Sequence, residues 1–469
     1  MNQTQPGLKK ELKTRHMTMI SIAGVIGAGL FVGSGSVIHS TGPGAIISYA
    51  LAGLLVIFIM RMLGEMSAVN PTSGSFSQYA HDAIGPWAGF TIGWLYWFFW
   101  VIVIAIEAIA GAGIIQYWFQ DIPLWLTSLI LTILLTLTNI YSVKSFGEFE
   151  YWFSLIKVVT IIAFLIVGFA FIFGFAPGSE PVGLSNITGK GGFFPEGISS
   201  VLLGIVVVIF SFMGTEIVAI AAGETSNPIE SVTKATRSVV WRIIVFYVGS
   251  IAIVVALLPW NSANILESPF VAVLEHIGVP AAAQIMNFIV LTAVLSCLNS
   301  GLYTTSRMLY SLAERNEAPR RFMKLSKKGV PVQAIVAGTF FSYIAVVMNY
   351  FSPDTVFLFL VNSSGAIALL VYLVIAVSQL RMRKKLEKTN PEALKIKMWL
   401  FPFLTYLTII AICGILVSMA FIDSMRDELL LTGVITGIVL ISYLAFRKRK
   451  VSEKAAAKPV TQQQPDILP

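Results

Sequence analysis

Ile22-Ala23-Gly24-Val25-Ile26-Gly27-Ala28-Gly29-Leu30-Phe31-Val32-Gly33-Ser34-Gly35 lies in a run with no charged side chain between Arg15 and Arg61. Such a run suffices for two bilayer crossings of about 20 residues each. The turn residues His39-Ser40-Thr41-Gly42-Pro43-Gly44 divide it. Five glycines inside the first crossing disfavour a continuous helix, since each costs roughly 1 kcal/mol against alanine. Peptide groups that leave the helical ladder in hydrocarbon need other partners, so an interruption persists only where protein or ligand covers it. Where membrane helices break in this way, free N–H groups and the helix dipole hold carboxylates. The glycines alone leave a second reading open, close helix packing through Gly29 and Gly33.

Composition places the whole chain in a membrane. Of 469 residues, 56% are hydrophobic and 12% charged, with a mean hydropathy of +0.81; a soluble domain carries about 25% charged residues. Cys297 and Cys413 lie in apolar runs, and neither they nor the scattered histidines have metal-ligand spacing. No phosphate-binding glycine loop and no nucleophile–base constellation is present, so neither direct ATP drive nor enzymatic chemistry is implied, and no cofactor is expected. Lys9, Lys10, Lys13 and Arg15 precede a hydrophobic span too long for a cleavable signal core.

Charges used as punctuation give about twelve spans, near 18–38, 43–64, 86–114, 123–143, 152–174, 198–221, 239–258, 277–306, 331–350, 355–380, 399–421 and 428–446. An even number puts both ends on one side. Of the 32 lysines and arginines, 29 then fall on that side, which the positive-inside rule makes cytoplasmic. That bias accounts for the net charge of +8 without any nucleic acid. Ser73 to Ile84 could form a short surface helix and reads as a connector, Phe175 to Gly197 as an irregular outer loop, and 447–469 as a disordered tail.

A second interruption is expected in the sixth span, at Phe212-Met213-Gly214-Thr215-Glu216. Gly27 and Gly214 are 187 residues apart, the length of five spans with their loops. Five is odd, so the sixth span crosses in the opposite sense to the first, as an inverted repeat requires. The expected organisation is an N-terminal segment (1–17), a first five-helix repeat (18–174), a second (198–380), two accessory helices (399–446) and the tail.

The two breaks and their flanks resemble the amino-acid permeases of the amino acid–polyamine–organocation superfamily. The resemblance covers nearly the whole chain. It is carried by Thr41-Gly42-Pro43-Gly44, Arg61-Met62-Leu63-Gly64-Glu65-Met66, Asn70-Pro71-Thr72-Ser73-Gly74, Gly147-Glu148-Phe149-Glu150-Tyr151-Trp152-Phe153, Glu224-Thr225-Ser226-Asn227-Pro228 and Asn299-Ser300-Gly301-Leu302-Tyr303. It implies an all-α membrane protein with a LeuT-like 5+5 inverted repeat, broken first and sixth helices, and a substrate site between them. By position, the amides of Gly27, Ala28 and Gly29 receive a carboxylate. The carbonyls of Phe210, Ser211 and Met213 receive an ammonium, with Phe210 closing over the substrate. A positive helix end suits an anion and free carbonyls suit a cation, so one pair of breaks serves both ends of a zwitterion.

Three charged residues fall inside spans: Glu107, Lys157 and Glu216. Each costs at least about 2.5–3.5 kcal/mol at mid-bilayer and calls for a partner or a task. The resemblance implies that the Lys157 ammonium stands where sodium sits in sodium-coupled relatives, and that Glu216 takes part in proton-linked gating. The plain alternatives are a snorkelling or carboxylate-paired Lys157 and a Glu216 that bonds the broken first helix. Glu107 meets either a substrate amine or a basic side chain. Arg61 and Glu65, four apart, read as a surface pair. The cluster Trp94, Tyr96, Trp97, Phe98, Phe99 and Trp100 suggests either a cation-binding box or, at the entry of a span, an interfacial aromatic belt, and is read as the belt.

The resemblance implies import of a small zwitterionic amino acid, 4-aminobutyrate, by proton symport with alternating access across the cell membrane. The alternatives are a permease or exchanger for proline or an aromatic amino acid, or a membrane sensor that binds without transporting. Oligomeric state is not encoded in any motif.

Overall fold

A computed structural model describes residues 12–23, 26–176, 180–189, 191–225, 227–351 and 364–456. Among these the chain is helical throughout, with one isolated bridge between Leu12 and Thr225. The first crossing is split into α1 (Thr14–Ala23), α2 (Ala28–Phe31) and α3 (Gly33–Thr41). A 3-10 turn at Gly42–Gly44 then reverses the chain into α4 (Ala45–Val69). Gly42 turns at φ 62, where a Cβ would meet the Pro195 ring at 2.4 Å, so both conformation and space demand glycine.

After α5 (Ser75–Ala83), α6 (Pro86–Gln116), α7 (Leu124–Tyr141) and α8 (Val143–Ile172) complete a first set of five crossings. Proline opens α6, where its missing N–H costs nothing, and the Ser142 side chain caps α8 by accepting from Ser145 N at 3.0 Å. The outer loop carries a single turn, α9 (Ser185–Thr188).

The second set begins with another split crossing, α10 (Ile198–Phe212) and α11 (Ile217–Ala221). It continues through α12 (Pro228–Trp241), a π-helical segment (Arg242–Gly249) and α13 (Ser250–Leu257). Two short helices, α14 (Asn264–Glu267) and α15 (Pro269–His276), lead to α16 (Ala282–Glu314), α17 (Val332–Phe351) and α18 (Gly365–Thr389). Two accessory helices, α19 (Phe403–Phe421) and α20 (Asp423–Ala456), stand at the edge with most of their surface exposed.

Among the described residues, ten helical stretches are long and apolar enough to cross a membrane. One of them, Gly29–Val69, makes two crossings by folding back at Gly42–Gly44, and Val332–Met348 is a further apolar helix, which brings the total to twelve. The fold is therefore two five-helix repeats plus two helices. α6 and α16 form its centre, buried along nearly their whole length.

Several local expectations need correction. Ser75–Ala83 is a helix that buries Phe76, Tyr79 and Ala80, because its apolar residues recur at helical spacing. α6 starts at Pro86, so the aromatic cluster lies two or more turns inside it: Tyr96, Phe99 and Trp100 are buried in the protein and form no belt. Glu65 is no surface pair with Arg61. It is buried, accepting from Arg383 Nη1 at 2.9 Å and Gln379 Nε2 at 3.1 Å, while Arg61 donates to Lys397 O. α20 continues to Ala456 through the helix formers Glu453, Lys454 and Ala455, past the point where a disordered tail was expected. The rest of that tail, 457–469, lies outside the described residues.

Candidate substrate site between the broken helices

Both interruptions are present. α1 ends at Ala23 and α2 starts at Ala28; Ile26 and Gly27 are non-helical, and Gly24 and Val25 lie outside the described residues. Leu30 N and Phe31 N both turn back to Gly27 O, leaving the preceding amides at the head of a helical turn. In the sixth crossing Met213 is extended (φ −61, ψ 141) and Gly214 takes φ 101, a conformation open to glycine at little cost. Glu216 holds this break together: Oε1 accepts from Gly214 N at 3.0 Å and from the Tyr96 hydroxyl at 2.8 Å.

The breaks touch. A methyl group built on Gly29 would lie 2.9 Å from Ser211 Cα, and one on Gly27 would lie 3.1 Å from Glu107 Oε1 and 3.2 Å from Cys297 Cβ. Between them is a small cavity of ≈ 20 Å³, room for about one water. Gly27 and Gly29 form one wall, Phe210, Ser211 and Met213 another; Glu107, Phe99, Trp100, Val103 and Cys297 complete it. Of the residues expected at a substrate site, these breaks gather all except Ala28, whose side chain is not described. The Phe210 ring meets Phe99 edge to face at 6.3 Å, forming an aromatic cover. Phe99 and Trp100 line the cavity instead of a belt, and nothing local separates Cys297 from an ordinary apolar helix residue.

Lys157 lies deeper than its span boundary suggested. α8 starts at Val143, which places Lys157 14 residues in, about 21 Å along the axis. It is wholly buried and does not snorkel. Its Nζ donates to Ile26 O at 3.0 Å, on the broken first helix, and to Ser296 Oγ at 2.8 Å, on α16. Ser296 Oγ donates in turn to Glu150 Oε1 at 2.6 Å. Glu150 also receives Asn299 Nδ2 at 3.4 Å and Ser154 Oγ at 3.4 Å. A hydroxyl thus joins a buried ammonium to a buried carboxylate, lowering the cost of holding either charge in the membrane. The sequence reading placed Glu150 in a loop and so overlooked it.

The π-helical segment braces the second break. Residues five apart on an α-helix point about 140° apart, whereas i→i+5 bonding stacks them. In this register Arg242 and Tyr247 face the same way: Arg242 Nη2 donates to Thr215 Oγ1 at 2.9 Å, and the Tyr247 hydroxyl to Ser211 O at 3.2 Å. Tyr247→Phe keeps the ring packed on Phe212, 4.5 Å away, but removes the bond that orients a carbonyl in the cavity wall. The expected result is a KM for substrate raised several-fold, corresponding to about 1 kcal/mol, with little change in maximal rate. Initial-rate kinetics in vesicles check it.

At the basic end of the bundle, Arg307 Nε and Nη2 reach Glu224 Oε1 and Oε2 at 2.7 and 3.1 Å, and all these groups are buried. The guanidinium lies 4.1 Å from the centre of the Tyr303 ring, which stacks on Phe146 at 4.2 Å. Beside this pair Leu12 N donates to Glu224 O, and Arg15 and His16 both engage Glu148, tying the N-terminal segment to α8. Arg307→Gln leaves a buried carboxylate without its charge partner. It should lower unfolding stability by about 3–5 kcal/mol, measured by denaturant titration in detergent, and Glu224→Gln introduced alongside should recover much of the loss.

The profile of the amino acid permease family matches residues 16–456, and the chain belongs to that family. It is 97% identical over 469 residues, all of both chains, to the gamma-aminobutyric acid permease of Bacillus subtilis. It is 50% identical over 442 residues (94% of this chain, 95% of the relative) to the gamma-aminobutyric acid permease of Escherichia coli. Identity is 42% over 449 residues, 95% and 96% of the two chains, to the aromatic amino acid transport protein AroP of Corynebacterium glutamicum. A mutant of the manganese transporter of Eremococcus coleocola superposes with a TM-score of 0.57 at 15% identity over 94% of each chain, a likeness of fold alone. The chain is an amino-acid transporter of the LeuT-like class, built for transport and not for enzymatic chemistry.

Proposed function

We propose that this permease imports 4-aminobutyrate together with a proton. The observation that carries the reading is the meeting of two interrupted helices at one small cavity, with Gly27 and Gly29 opposite Ser211 and Met213. The amides of Gly27, Ala28 and Gly29 take the carboxylate, and the carbonyls of Phe210, Ser211 and Met213 take the ammonium, with the Phe210 ring above. The relatives named for gamma-aminobutyric acid support the choice of substrate. A cavity of ≈ 20 Å³ is too small for any amino acid, so Phe210 and the two breaks move apart as substrate enters.

Lys157 and Glu216 are the proton-coupling residues of this reading. The ammonium of Lys157 ties the first break to α16, and loss of its proton loosens that tie. Glu216 gates the second break through Gly214 N and the Tyr96 hydroxyl. Glu107 stands beside Gly27, close to where the substrate carboxylate binds. Glu107 is buried and lines the same cavity as Gly27, so its side chain helps to shape the end of the site that takes the carboxylate. The repeats 18–174 and 198–380 rock against each other about this point, and the basic loops set both chain ends in the cytoplasm of a cell whose plasma membrane holds the protein.

One proton moved through ~150 mV supplies about 3.5 kcal/mol, enough for roughly 300-fold accumulation of a zwitterion. Proteoliposomes energised by a pH gradient without sodium should accumulate labelled 4-aminobutyrate, and collapsing the gradient should abolish accumulation; unchanged uptake would remove the coupling. A second reading, transport of an aromatic amino acid, draws on the Phe99–Trp100–Phe210 wall and the 42% identical relative. Counterflow against a panel of unlabelled amino acids separates the two.

A further inference from the structure

Two adjoining cavities that share no lining residue with the substrate site lie on the outside of the bundle at its basic end. One is a groove of ≈ 730 Å³ between α6, α16 and α17, walled by Trp94, Trp97, Val336, Phe340 and Phe341. The other, ≈ 510 Å³, carries charged residues on its rim, Glu314, Arg320, Arg321 and Lys324. Arg321 belongs to both. Val336, Phe340 and Phe341 are about half exposed, so the apolar groove opens sideways toward hydrocarbon. The second cavity is made by the 3-10 turn Arg320–Met323 and the end of α16.

Charge distinguishes this place from ordinary lipid-facing surface. Among the described residues, no carboxylate forms an ion pair with Arg320, Arg321 or Lys324; Arg320 donates only to Asn316 Oδ1, and Arg321 lies 5.1 Å from the centre of the Phe322 ring. Glu317 is taken by Arg315, leaving Glu314 as the one acid facing three cations. An apolar slot that ends at a cationic basin matches one kind of molecule, with hydrocarbon at one end and negative charge at the other. Each basic residue near such a headgroup strengthens its binding, and aromatic rings settle at the boundary between chain and headgroup.

We propose that this paired cavity binds a phospholipid with an anionic headgroup, its acyl chain along Trp97, Phe340 and Phe341 and its phosphate at Arg321, Arg320 and Lys324. α17 and the turn before it are thereby fastened to α6 from the lipid side. A free phosphate cannot satisfy the apolar half, and a zwitterionic lipid brings a cation into a basin already positive.

The test uses the full chain in detergent, titrated with dioctanoyl phosphatidylglycerol, dioctanoyl phosphatidylcholine or glycerol phosphate while the thermal unfolding midpoint is followed. Phosphatidylglycerol should raise the midpoint saturably, with phosphatidylcholine at least about tenfold weaker and glycerol phosphate without effect. The triple variant R320Q/R321Q/K324Q should need at least about tenfold more phosphatidylglycerol. Ala337→Trp, which fills the groove and leaves every charge in place, should abolish the response; its unliganded midpoint reports whether it is folded. Native mass spectrometry of phosphatidylglycerol adducts on the same proteins gives a second readout. Equal responses in wild type and both variants overturn the site. So does a response to glycerol phosphate alone, or a response kept by Ala337→Trp, which would reduce the effect to surface charge.

Discussion

Lys157→Ala should abolish concentrative uptake, taking an accumulation of hundreds-fold down to equilibration, while exchange of substrate across the membrane persists. The side chain is wholly buried and ties three elements: α8, which carries it, the broken first helix through Ile26 O, and α16 through Ser296. Alanine removes both hydrogen bonds and leaves Glu150 in the interior without the ammonium that balances it. Part of the effect is therefore structural, since an uncompensated buried charge costs about 3–5 kcal/mol. Adding Glu150→Gln separates the two contributions. The double variant should recover stability and expression yet remain unable to accumulate substrate against a gradient. Full recovery of accumulation would assign Lys157 to scaffolding and remove it from the coupling step.

Gly29→Val should eliminate transport almost completely, by about 100-fold or more, with the protein still inserted. The first added carbon would lie 2.9 Å from Ser211 Cα and 2.8 Å from Ser211 Oγ, closer than real Cβ contacts come. The Ser211 hydroxyl can rotate away, but its Cα is backbone of the facing break and cannot. The two interrupted helices must then separate, and the cavity between them loses its walls. Gly29→Ala meets the same obstacle and should fall between wild type and valine. Gly414→Ala is the control: nothing lies within 4 Å of a Cβ built there, so uptake should be unchanged. Uptake at wild-type rate by Gly29→Val would show that the close approach at Ser211 is dispensable.

The broad architecture was legible because it follows from hydropathy, charge and glycine. Long apolar runs cannot be anything but crossings, and the glycines at 27, 29 and 214 marked where the ladder would fail. Gly214 does take the left-handed conformation that such a failure needs. What could not be read were the partners of buried polar groups, which depend on neighbours distant in sequence. Arg242 and Arg307 were counted with the basic loops, yet both are buried within helices, bonded to Thr215 and Glu224. Glu65 looked like half of a surface pair and instead anchors Arg383 and Gln379, more than three hundred residues away. Glu150 escaped notice because α8 begins about nine residues earlier than its hydropathy suggests. Charged residues near a span end thus mislead a linear reading most: the same residue type ends one helix and sits inside another.

The i→i+5 register of residues 242–249 gives the seventh crossing slack. Such a segment stores one residue more than an α-helix needs to cover the same bonds. Were it to tighten to the ordinary winding, everything from Ser250 to Leu257 would swivel by about 100° and advance by about 1.5 Å relative to Pro228–Trp241. Arg242 and Tyr247 would then point apart, and one of them would release the sixth crossing. A rotation of that size would need no hinge loop and would expose no broken main chain to lipid.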